Sequence, residues 1–241
     1  MDTQRVFLIL LDVSGYTKFI RFHKFSLFHA ERIIDELLES VIAEAQPPLV
    51  LHELEGDAVY FYVMSDGSRE MGQNVCSQVE RRVAAFRRRE AELISACGLC
   101  RCDACKAVGQ LTLKVVLHHG EAVFTQVRQF RKVSGEDVIL AHRLLKNSIT
   151  QNEYTLVTEK MHELLGNLGD RIPEPRVEDC RELGRIEVRV YYPSQQTSLP
   201  SAARATAFSK LRMLMKVEWH LLKRLVMPAS KRYRNLDTAQ R

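Results

Sequence analysis

The sequence has no apolar run long enough to span a membrane. Runs such as Val6–Leu11 hold six residues, against the roughly 20 that a bilayer-crossing helix needs. It also lacks a secretory leader pattern, because that apolar run leads straight into Asp12 with no small-residue cleavage site. Internal repeats and low-complexity tracts are absent, which excludes solenoid and fibrous arrays. These absences make a cytoplasmic location the expectation, and thiols stay reduced there. What is present fits a globular chain. Of 241 residues, 46% are hydrophobic and 27% charged, a balance that argues against disorder. That length allows one domain with an extension or two small ones, at roughly 100–200 residues each.

The net charge of +5 is unevenly spread. Residues 200–241 carry ten Lys or Arg and two acids, whereas the other 199 residues carry 25 basic and 28 acidic side chains. The chain is a near-neutral domain, 1–195, followed by a linker and basic tail, 196–241. Along the domain, Arg5–Leu11 predicts a buried strand and Thr17–Ala45 a helix closed by Pro47-Pro48. Leu49–Leu54 and Ala58–Met64 predict a hairpin around Glu55-Gly56-Asp57. Arg69–Ala96 predicts a second long helix with a basic surface that includes Arg81, Arg82, Arg87, Arg88 and Arg89. Leu111–His118, Glu121–Val127, Tyr154–Val157 and Ile186–Tyr191 predict strands. Asp137–Asn147 and a segment capped by Thr158 predict helices. This order implies an α+β fold: a ferredoxin-like, antiparallel-rich sheet with helices on one face.

In that plan Asp12 ends a buried strand and Asp57 sits in a hairpin turn. If the strand lies beside the hairpin, the two carboxylates converge, and they repel unless a cation lies between them. Mg²⁺ or Mn²⁺ suits an oxygen-only site. The competing reading is that each Asp only bonds its local turn.

Four stretches then resemble the motifs of class III adenylyl and guanylyl cyclase domains, in order. They are Asp12-Val-Ser-Gly-Tyr-Thr-Lys-Phe19, Leu54-Glu-Gly-Asp57, Leu117-His-His-Gly-Glu121 and Gly135-Glu-Asp-Val-Ile-Leu-Ala-His-Arg143. The cysteine cluster and His142-Arg-Leu-Leu-Lys-Asn147 are similar to a bacterial subfamily of unknown function. The resemblance implies a homodimer with its site between protomers and two metal ions held by Asp12 and Asp57. It also implies a purine nucleoside triphosphate substrate whose ribose hydroxyl attacks the α-phosphate. Arg143 matches the arginine that stabilises charge on that phosphate. The family's transition-state Asn is replaced by Ile139. At the two base-reading positions stand Glu53, which looks like the guanine-reading residue of guanylyl cyclases, and Lys132, which matches neither pattern.

Cys97, Cys100, Cys102 and Cys105 place four thiols in nine residues as two Cys-x-x-Cys units. That spacing suits a structural Cys₄ zinc site. A redox dithiol, an iron–sulfur site and inert thiols remain as alternatives. Cys76 and Cys180 read as small buried residues. In the tail, Phe208–Met227 is an amphipathic helix pattern with Trp219 in its middle. It docks on this domain or a second protomer, or lies on an anionic membrane surface; nucleic acid is the weakest partner, since no recognition motif accompanies the charge. Three functions stay open at this point. One is a metal- and nucleotide-binding signalling module with degraded cyclase chemistry, another an active adenylyl or guanylyl cyclase, and the third a non-catalytic dimerisation or membrane-surface module.

Overall fold

In the computed structural model, which describes residues 3–22, 27–97 and 102–193, the run Val6–Leu11 forms the middle of strand β1 (Thr3–Ser14). It is buried on both faces, which is why it reads as continuous rather than alternating hydrophobicity. Two helices follow, α1 (Tyr16–Phe22) and α2 (Leu27–Ala43), where the periodicity predicts one from 17 to 45. Next come the hairpin β2 (Val50–Glu55) and β3 (Ala58–Met64), then the long helix α3 (Arg69–Cys97). A short helix α4 (Asp103–Ala107) and a 3-10 turn (Val108–Gln110) lie within and after the cysteine-rich stretch. The chain continues as β4 (Thr112–Val127), β5 (Phe130–Ser134), α5 (Glu136–Leu144), β6 (Tyr154–Thr158), α6 (Glu159–Leu165), β7 (Glu174–Cys180) and β8 (Gly184–Tyr191). Contacts divide the chain into Met1–Ser201 and Ala202–Arg241. The expected tail helix lies outside the described residues.

The strands form one sheet in the order β2-β3-β1-β4-β6-β8-β7, with β5 paired to β4. Among the described residues, the β4–β6 pairing alone is parallel. This is the expected antiparallel-rich α+β architecture. The alternation of β1 separates two layers. Val6, Leu8 and Leu10 pack with Tyr60, Tyr62 and Val116 against Leu140, Ala141 and Leu144 of α5. Phe7, Ile9 and Leu11 point the other way. There Gly72 of α3 lies close to the Phe7 ring, and Arg82 of α3 stands 5.2 Å over the Phe61 ring. The stripe Ile33, Ile34, Leu37, Leu38 and Val41 of α2 is buried, as its spacing predicts. Among the described residues no helix is long and apolar enough to cross a membrane.

β4 is one strand of 16 residues, not two strands broken at Gly120. The glycine is there for another reason. A Cβ at Gly120 would sit 2.3 Å from Cγ of Asp137. Asp137 cannot retreat, because its carboxylate accepts from the backbone N–H of Glu121 (2.7 Å) and lies 2.9 Å from Nε2 of buried His118. The His118 bond and the Glu121 N–H hold Asp137 down at about 2 against the opposing effect of burial, the His118 bond being the largest cause. An ionised carboxylate only accepts, so Nε2 carries a proton, and Nδ1 lies 2.8 Å from the Thr158 hydroxyl. Thr158 therefore stands at the N-cap of α6 without capping it through its side chain. The network ties α5 to β4 and β6. Gly120→Ala should cost about 1–3 kcal/mol by overpacking, read as a lowered urea midpoint with an unchanged slope.

Candidate functional site

The C-terminal half of β1 and the β2–β3 turn meet because β1 and β3 pair with Asp12 opposite Ala58. The backbone N–H of Val13 donates to the carbonyl of Asp57 at 3.1 Å. The side chains of Asp12 and Asp57 are within hydrogen-bonding reach of each other. Gly15 follows at φ +90°, a conformation that costs glycine little. It turns the chain into α1 above the carboxylates, with the N–H of Phe19 donating to its carbonyl at 2.8 Å.

The carboxylates lie in a cleft of about 830 Å³ whose lining includes Gly15, Lys18, Tyr60, Lys114, His142 and Lys146. Burial, then the charge of Asp12, pushes the Asp57 carboxyl up to about 6, while Lys114 acts in the opposite direction. Lys114 Nζ is 2.6 Å from Oδ2 of Asp12. Lys114 stands opposite Asp12 in the β1–β4 pairing, the one charged residue in the run Leu111–Leu117. That lone lysine in an apolar strand was the available signal for this contact, but spacing could not name its partner. His142 stacks on Tyr60 with ring centroids 4.4 Å apart. Burial lowers the His142 pKa. It also raises the Tyr60 hydroxyl to about 12, with nearby Glu55 as the next cause.

The other candidate residues sit elsewhere. Lys132 on β5, with Ile139 and Arg143 on α5, lines a second cleft of about 600 Å³. Arg143 does not line the carboxylate cleft of its own chain, and its guanidinium bonds Glu182 at 3.0 Å. His142 and Lys146 line both clefts. Glu53 is on β2, opposite Tyr60 beside a register shift, and its charge reaches His142. The structure thus brings Asp12 and Asp57 together within one chain, and Lys132, Ile139 and Arg143 together in a separate cleft.

Of the cysteine cluster, Cys102 and Cys105 are described, and with them comes His29 of α2, which sequence spacing did not suggest. The Cys97 side chain and Cys100 lie outside the described residues. Cys180 is buried. Burial of Cys76 pushes its thiol up to about 12, which leaves it inert at neutral pH.

A family of proteins of unknown function, DUF2652, matches residues 34–154. An uncharacterised protein of Mycobacterium tuberculosis is 32% identical over 189 residues, 78% of this chain and 86% of its own length. The chain belongs to the DUF2652 family. Among solved structures, the guanylyl cyclase Cya2 matches with a TM-score of 0.59 at 12% identity, over 82% of this chain and 97% of the other. The adenylyl cyclase CyaB of Pseudomonas aeruginosa matches at 0.55 and 13% identity, over 81% and 98%. The guanylate cyclase domain of RhGC from Catenaria anguillulae, in complex with GTP, matches at 0.52 and 12%, over 81% and 100%. This DUF2652 chain therefore has the fold of class III nucleotidyl cyclase domains.

Proposed function

We propose that this DUF2652 protein is a signalling module that binds a divalent cation, Mg²⁺ or Mn²⁺, together with a purine nucleoside triphosphate. In this reading it is a homodimer and has lost most cyclase turnover. The observation that carries the proposal is the pair Asp12 and Asp57 in a cleft that also holds Lys18, Lys114 and Lys146. Two adjacent carboxylates, with Asp57 raised by burial and then by the charge of Asp12, offer hard oxygen donors to a divalent cation. The donor set fits such an ion, with Lys114 as an internal counter-charge on Asp12. A cation held by Asp12 and Asp57 supplies polarisation of a phosphate oxygen or a ribose hydroxyl. Lys18, Lys114 and Lys146 match the charge of a triphosphate. The resemblance to guanylyl cyclases supports Glu53 as the residue that would read a guanine edge. Lys132 and Arg143 would face the nucleotide from the partner copy, since their cleft is separate from the carboxylates within one chain.

The loss of turnover rests on Ile139, whose aliphatic side chain cannot hydrogen-bond a ribose. Removing one such preorganised contact costs about 10²–10³ in rate. Arg143 favours the second reading, an active adenylyl or guanylyl cyclase. The deciding experiment incubates the full-length protein with Mn²⁺ and ATP or GTP, measuring nucleotide binding and cyclic product. We expect binding that Asp57→Ala abolishes, and product only after Ile139→Asn. Product from the unaltered chain that disappears in Asp57→Ala establishes the enzyme reading instead. Absence of nucleotide binding by folded protein overturns both.

A further inference from the structure

We infer that His29, Cys102 and Cys105 form a zinc site that ties helix α2 to helix α4. The three residues come from positions 73 and 76 apart in sequence, so their meeting is a product of the fold. Nδ1 of His29 lies 3.3 Å from Sγ of Cys102 and 4.0 Å from Sγ of Cys105. All three ligand atoms fall within 4.8 Å of one another. A tetrahedral zinc, with Zn–S of about 2.3 Å and Zn–N of about 2.0–2.1 Å, sets its sulfur and nitrogen ligands about 3.5 Å apart. The two observed separations straddle that value, so an ion can enter with side-chain shifts of a few tenths of an ångström.

The chemistry of the donors selects the ion. Two thiolates and one imidazole are a soft to intermediate set, suited to Zn²⁺ and unsuited to the Mg²⁺ or Mn²⁺ proposed for the carboxylates. The N–H of Cys105 donates to Sγ of Cys102 at 3.4 Å. Such a bond stabilises a metal-bound thiolate and orients it. All three residues are half-buried, which leaves a path for the ion. The spacing Cys-x-x-Cys at 102 and 105 is the part visible in sequence. His29 is the part that the fold adds, and it distinguishes this site from one closed by the four clustered cysteines alone. From α4 the chain runs through the 3-10 turn into β4, the strand that carries Lys114. The metal would thus brace the helical layer against the start of that strand, as a structural site separate from the carboxylate cleft.

The test uses the reduced full-length protein, loaded with Zn²⁺ or Co²⁺ and freed of excess metal. The expected result is one ion per chain, with metal affinity lowered at least about 100-fold in His29→Ala and in Cys102→Ser. It should be unchanged in Cys76→Ser. His29→Cys should keep the metal, and its Co²⁺ form should gain thiolate-to-metal charge-transfer absorption over the unaltered protein. Wild-type metal content in His29→Ala overturns the inference in favour of a cysteine-only site. Failure of the unaltered reduced protein to take up either metal also overturns it. If His29→Ala does not fold, the Co²⁺ spectrum of His29→Cys decides, and an unchanged spectrum counts against the site. None of these readouts depends on nucleotide binding.

Discussion

Asp57→Asn should abolish Mn²⁺-dependent nucleotide binding and at the same time make the unliganded protein more stable at neutral pH. Both effects come from one carboxylate. Burial and the charge of Asp12 raise Asp57 from its ordinary value of 3.8 to about 6. A group with a raised folded pKa holds more protons in the folded than in the unfolded chain between those two values. Stability therefore falls as pH rises from about 4 to about 6, and the loss is complete above pH 6. At pH 7 the ionised Asp57 is a destabilising feature retained in the fold. Discounted for its half-exposed position, the neutral amide should recover about 1–2 kcal/mol. That is a rise of about 2–8 °C in melting temperature for a chain of this size.

The binding side has the opposite sign. A divalent cation competes with the proton on Asp57, so Mn²⁺ affinity should climb as pH rises through about 6 and level off above it. Asp57→Asn should remove that pH dependence along with at least about 100-fold of the affinity. Calorimetric titration of Mn²⁺ at several pH values, beside thermal unfolding of the same variant, measures both. A variant that is less stable than the parent at pH 7 would show that the two carboxylates do not repel as the geometry requires.

Arg82→Ala should be the most destabilising single substitution in the helical layer, at about 3–5 kcal/mol. Sequence periodicity places Arg82 among the basic surface residues of α3. The fold instead buries it completely. Its guanidinium donates to the carbonyl of Gln78 at 2.6 Å and to the carbonyl of Glu44, just past the end of α2, at 3.3 Å. It also covers the Phe61 ring. Burial lowers its pKa to about 10, so it stays charged at neutral pH. Truncation opens a cavity over Phe61 and strips the Glu44 carbonyl of a donor.

Arg82→Met provides the contrast. It keeps most of the volume and removes the buried charge, and replacing a buried ion by an apolar group of similar shape is often close to neutral. We expect it to cost less than about 1.5 kcal/mol. Chemical unfolding of the two variants separates packing from charge. Equal losses would place the contribution of Arg82 in its hydrogen bonds. The neighbouring arginines behave as surface residues do. Arg87 pairs with Glu153, Arg88 with Glu44, and Arg89 with Glu36 and Glu92. The charge of these three arginines is answered within the chain.

The elements with strong local periodicity were legible from sequence: β1, the β2–β3 hairpin, the apolar stripe of α2, and α3. So were the turn glycine at 56, the strand that Asp12 ends and the hairpin turn that holds Asp57, whereas the meeting of the two carboxylates follows from the β1–β3 pairing. The strands that escaped notice are β5, Phe-Arg-Lys-Val-Ser, and β7, Glu-Pro-Arg-Val-Glu-Asp-Cys. Both are largely exposed and polar, so they carry little of the burial signal that marks a strand. Gly120 looked like a strand break because glycine ends strands more often than it makes room for an aspartate.

By itself, then, the sequence determined the α+β class, the order of most elements and the cysteine spacing, because each is written in residues close along the chain. Tertiary structure alone decided that Lys114 neutralises Asp12, that Arg82 is buried, that Gly120 makes room for Asp137, and that His29 joins Cys102 and Cys105. Each of these contacts links residues that are well separated in sequence. They depend on strand register and helix packing, which the balance of burial over the whole fold sets and no local pattern encodes.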